Sequence, residues 1–170
     1  FIYYDGNHEH LEAQIRTGVA QVMIQHMIFG TNFQEVLQNA VMLSLPEWFT
    51  HGLASYIGED WSTTNQEKLR EGILSGRLKK LNKLKPEDKR FVGHALWHYV
   101  EEKYGAAAVP NLIYLTRINR SLESGFLFVL GGSVDAVYNE WYETMYTRFT
   151  DAALNRDAPT EDGMLARKKS

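Results

Sequence analysis

Leu45-Pro46-Glu47-Trp48-Phe49-Thr50-His51-Gly52-Leu53-Ala54-Ser55-Tyr56 opens with a proline where the first turn of a helix belongs, and Gly58 marks where that helix stops. Trp48 and Phe49 supply large apolar surface and read as core. A glycine inside a helix costs about 1 kcal/mol relative to alanine. Gly52 therefore marks a place where another element comes close, and Gly93, inside a later helical stretch, reads the same way. Each glycine predicts a close neighbour without saying which element supplies it.

On its N-terminal side, Asp5-Gly6-Asn7 is a turn signal with a possible N-cap, followed by Leu11, Ile15, Val19, Val22, His26 and Phe29 at steps of three and four. That period predicts one inward helix face, with His26 a hydrogen-bonded core residue. The stretch from Val19 to Phe29 is apolar almost all round, which predicts a central helix covered on most sides and ending at Gly30. Thr31-Asn32 with Gln34 and Glu35 looks like a capping box for a helix through Val36, Leu37, Val41 and Leu43.

On the C-terminal side, Ser62-Thr63-Thr64 caps a helix running to Gly76, and Pro86 opens a long one closed by Gly105. Another helix starts near Pro110 and ends about Asn119, and Ser121 starts a short apolar one ended by Gly131-Gly132. Ser133 caps the last, with Val134, Val137, Trp141, Met145 and Phe149 as its inward stripe. No run alternates apolar and polar residues between hairpin turns. The expectation is an all-α single domain of seven or eight helices with little or no sheet, covering 1–154. The polar, Pro- and Gly-broken stretch 155–170 reads as a tail or linker to a following domain.

The chain has 170 residues, 44% of them hydrophobic, enough for one substantial core. A net charge of -3 with interspersed signs gives no concentrated basic surface, so nucleic acid is not an expected partner. Cysteine is absent, which excludes disulfides, thiolate metal sites and cysteine nucleophiles together. No apolar run is long enough for a membrane span. A first residue Phe1 with no leader pattern reads as a piece of a longer protein.

The segment Leu45 to Gly58 resembles the P-x-W-x-x-E-G-x-A-x-Y signature of peptidase-MA-like gluzincins, matching at Pro46, Trp48, Gly52, Ala54 and Tyr56. His94 to Gly105, with Tyr99, Val100, Lys103 and Tyr104, is similar to that family's helix ending in Y-G, and Ser133 to Met145 with Trp141 to its closing helix. The resemblance implies a zincin-like helical bundle of the kind found ahead of TolB-like β-propellers, in a periplasmic or cell-envelope protein, with a covalently linked downstream domain as a neighbour.

Such enzymes hold zinc with H-E-x-x-H on one helix and a Glu on a second, leaving one position open for the attacking water. Aligned through Arg16, Thr17 stands for the first His, Gly18 for the catalytic Glu, Gln21 for the second His and His51 for the ligand Glu. One imidazole is not a zinc site, and Gly18 offers no base. The resemblance therefore implies a degenerate peptidase with no cofactor and no catalysis, serving as a structural or protein/peptide interaction module. By the glycine rule above, Gly18 predicts a close approach of a neighbouring element, and hence a filled helix crossing in place of an open groove near Thr17, Gln21 and His51.

Two other histidine clusters compete. His94 and His98, four apart, share a helix face and form a weak alternative metal site, with His51 as a third ligand for a relocated hydrolase centre. Glu101 lies about 10 Å along the helix axis from His94, too far to share one ion. Asn7-His8-Glu9-His10 can chelate adventitious metal, against a plain reading as a solvated first turn with Glu9 favouring the helix dipole. No G-x-S-x-G elbow and no phosphate-loop glycine spacing is present.

Overall fold

The computed structural model describes residues 2–32, 34 and 43–157, the side chains of 154–157 excepted. Among the described residues there are seven α-helices, one short 3-10 turn and no strand: α1 (His8–Phe29), α2 (Glu47–Gly58), α3 (Thr63–Leu74), the turn Leu81–Lys83, α4 (Pro86–Tyr104), α5 (Ala108–Asn119), α6 (Leu122–Leu130) and α7 (Val134–Asp157). The chain is all-α, as its periodicity implies. The helix expected from Thr31 to Leu43 falls almost wholly outside the described residues. Of the expected tail, 155–157 continue α7 and 158–170 are likewise outside.

Most helix ends are where the sequence signals place them, although α3 stops at Leu74, two residues short of Gly76. The Asn7 side chain accepts from the backbone N–H groups of Glu9 and His10, and Gly30, at φ 92°, closes α1 by donating to the His26 carbonyl. Ser62 accepts from Asn65 N–H, Ser121 from Ser124 N–H and Ser133 from Ala136 N–H, so the three predicted serine caps all operate. Pro110 sits in the first turn of α5, where a missing N–H leaves no helical bond unmade.

The core is built on a crossing of α2 and α4. A Cβ on Gly52 would stand 2.5 Å from the Gly93 Cα, and one on Gly93 would run into the Trp48 carbonyl. The two helices meet backbone to backbone, so the close neighbour that each mid-helix glycine implies is, for these two, the other glycine's helix. Around the crossing, Phe49 and Trp97 pack edge-on with ring centres 4.9 Å apart, and Trp97 donates its indole N–H to the Phe49 carbonyl at 3.2 Å. The expected α7 stripe faces inward: Val134, Val137, Trp141 and Phe149 are buried, with Met145 packed against them. Tyr138 and Tyr142 add two buried hydroxyls, donating to the carbonyls of Leu78 and Ile73 and so tying α7 to α3 and the loop after it.

In α1 the expected face is wrong. Thr17, Ala20, Ile24 and Ile28 are buried, whereas Ile15, Val19, Val22, Met23, His26 and Met27 are exposed. A helix half that is apolar on every side carries no directional period, so small residues decide which side is buried. Gly58 of α2 sits directly on Thr17, where a Cβ would be 2.5 Å from the Thr17 Cα. The helix lies at the edge of the bundle instead of its centre, and His26 is a surface residue. Gly18 also departs from expectation, since a Cβ there would meet no described residue within 4 Å. The close approach falls one residue earlier, and the partner's glycine makes it possible.

Candidate functional site

The four positions that the gluzincin resemblance assigns to zinc and base do not form a donor set. Thr17 is buried in the α1–α2 crossing, Gly18 is half-buried, and Gln21 and His51 are exposed. Thr17 donates its hydroxyl to Glu59 Oε1 at 3.1 Å. A threonine hydroxyl, a glycine, a carboxamide and one imidazole do not match the imidazole and carboxylate chemistry that zinc requires, so the residues present do not fit the ion the resemblance implies.

The relocated centre is not assembled either. His94 is buried, His98 and His51 are exposed, and among the described residues no three His, Asp or Glu side chains converge to hold a metal ion. Glu101 accepts from the Tyr56 hydroxyl and Glu102 from both terminal guanidinium nitrogens of Arg148, so the carboxylates one turn on from His98 are engaged elsewhere. At the N-terminus, His10 Nδ1 lies 3.0 Å from Asp5 and His8 3.4 Å from the Tyr4 hydroxyl, in an exposed first turn.

What the fold does assemble is a polar cluster at the junction of α1, α2 and α4. Glu59, which caps the C-terminus of α2, accepts from Thr17, from Ser55 Oγ at 2.8 Å and from the Arg90 guanidinium. Ser55 Oγ also lies 3.0 Å from His94 Nδ1. A serine hydroxyl has one proton, and the carboxylate, which only accepts, takes it. His94 must then donate from Nδ1 to Ser55, which fixes the tautomer and leaves Nε2 as the unprotonated nitrogen.

Burial pushes the His94 pKa down to about 4, assisted by the charges of His98 and Arg90, so the ring is neutral at pH 7. The edges of Trp61 and Tyr56 close over it, with ring centres 5.0 and 6.0 Å away.

Serine, histidine and glutamate together invite comparison with a hydrolytic triad, and the wiring decides against it. In a triad the serine gives its proton to the imidazole and the carboxylate holds the opposite ring nitrogen. Here the serine gives its proton to the carboxylate, the imidazole donates to the serine, and Ser55 is 1% exposed. No acyl group can reach Oγ. The cluster joins three helices, with Thr17, Ser55 and His94 buried and the Glu59–Arg90 pair at the surface.

Its sequence trace is two pairs four residues apart, Ser55 with Glu59 and Arg90 with His94, each flanking one of the crossing glycines. No motif marks it, because none of these residues occupies a family ligand position.

No protein-family model matches the chain, and neither a curated protein nor a solved structure matches it. The likeness to gluzincin peptidases therefore rests on the motif residues quoted above. Among the described residues, no helix is long and apolar enough to cross a membrane.

Proposed function

We propose that this chain is a non-catalytic helical module of peptidase-like descent that acts as a structural or protein/peptide interaction domain within a larger cell-envelope protein. The observation that carries this reading is the α1–α2 crossing. The position that a gluzincin would give to its first zinc-binding imidazole is Thr17, packed against the backbone of Gly58 and hydrogen-bonded to Glu59.

A second support is the surface of α1, where Val19, Val22, Met23 and Met27 remain exposed side by side on a helix that a free-standing domain would bury more fully. The envelope setting and the linked downstream domain follow from the resemblance alone.

The test is an assay for hydrolysis of a denatured protein substrate, with and without a zinc chelator. The expected result is no chelator-sensitive cleavage. Cleavage that disappears on chelation and returns with zinc would overturn the proposal.

A further inference from the structure

On the far side of Trp61 from His94, a cavity of about 590 Å³ opens between α3, α4 and α7. That volume falls within the range of about 300–1,000 Å³ typical of small-ligand sites. Trp61, Leu69, Tyr99, Met145 and Phe149 give it an apolar, largely aromatic wall. Two arginines line it, Arg70 and Arg148, and they differ in one respect.

Arg148 has both terminal nitrogens on the Glu102 carboxylate, at 2.8 and 3.3 Å, so its planar fork is fully used. Arg70, half-buried on α3, makes no hydrogen bond or ion pair with any described residue. A partly desolvated guanidinium with an unused fork, beside an aromatic wall, is a preformed receptor for a carboxylate carried on an apolar body. Glu102 is already neutralised by Arg148. Glu67, one turn before Arg70, exposed and among the lining residues, would repel a second negative charge.

We propose that this cavity is a binding site for a monoanionic carboxylate attached to an apolar or aromatic group, with Arg70 as the carboxylate-reading residue. Such a group is presented equally by a small organic acid and by the C-terminal residue of a peptide ending in a large apolar side chain. The site is separate from the α1–α2 crossing, and the inference does not depend on peptidase descent.

Calorimetric titration of the full chain with N-acetyl-L-phenylalanine, with its primary amide, and with the free-acid tripeptide N-acetyl-Ala-Ala-Phe tests this. The acid is expected to bind at least tenfold more tightly than the amide, the size of effect that a charge-assisted bond to a guanidinium supplies. Arg70→Gln should erase the difference between acid and amide while leaving the thermal midpoint unchanged. Arg70→Lys, which keeps the charge and loses the fork, should retain part of it.

If the tripeptide binds at least as tightly as the single residue, the natural ligand is a chain terminus; if it binds more weakly, a small acid. Equal binding of acid and amide would overturn the proposal. So would a preference that survives Arg70→Gln in folded protein, or no saturable binding of the acid up to about 10 mM, a Kd worth under 3 kcal/mol.

Discussion

Acidification is predicted to unlock the α1–α2–α4 junction through His94. The neutral ring donates to Ser55 and is walled in by Trp61 and Tyr56, with a pKa pushed from the ordinary 6.5 down to about 4. A histidine depressed in the folded state contributes stability that is complete above about pH 6.5, falls as pH drops below that, and is exhausted below about pH 4.

At about 1.4 kcal/mol per pH unit, the whole window is worth on the order of 3 kcal/mol. The portion from pH 6.5 to 5 is worth about 2 kcal/mol. That upper portion is the informative part, because the carboxylates held below their usual range by Arg77, Lys89 and Arg148 stay ionised through it.

Urea unfolding of the wild-type chain at pH 6.5 and 5 should show the loss. His94→Gln, whose carboxamide N–H can still donate to Ser55 but does not titrate, should be flat across the same interval. Equal slopes in the two proteins would refute the assigned geometry of the cluster.

Gly58→Ala sets a Cβ against the backbone of Thr17, which cannot give way. The helix-propensity gain of about 1 kcal/mol should be outweighed, with a net loss of 1–3 kcal/mol in denaturant unfolding. Gly18→Ala meets no described residue within 4 Å and should stabilise by about 0.5–1 kcal/mol in the same experiment. Opposite signs at these two glycines are the signature of the crossing, and like signs would contradict it. Tyr138→Phe removes the buried donor to the Leu78 carbonyl and should lower stability by about 1–3 kcal/mol, read as a lower thermal midpoint.

Helix limits were legible in the sequence because caps are local chemistry: Asn7, Ser62, Ser121 and Ser133 satisfy their own first turns whatever surrounds them. That something packs closely at Gly52 and at Gly93 was legible for a related reason, since a mid-helix glycine is costly unless something needs the space, but that the two face each other was not.

The orientation of α1 was not legible. Its second half is apolar on every side, and the choice of buried face was made by Gly58, a residue some forty positions later. Gly18 misled by the same reasoning that succeeded at Gly52: it occupies a helix interior, and a Cβ there would meet no described residue within 4 Å.

The polar cluster escaped notice because Ser55, Glu59, Arg90 and His94 are ordinary on their own helices and acquire meaning only when α2 and α4 cross. In contrast, His94 and His98 looked related by their four-residue spacing, yet one ring belongs to the polar cluster and the other faces the cavity.

The central claim is that the donor set at Thr17, Gly18, Gln21 and His51 is too poor to hold a catalytic ion. Isothermal titration of the chelator-treated chain with zinc at neutral pH tests it most directly. The account predicts no stoichiometric binding beyond weak association of about 10 µM or poorer at exposed histidines, unchanged by His51→Ala. One zinc per chain held at nanomolar affinity, and lost in His51→Ala, would contradict it.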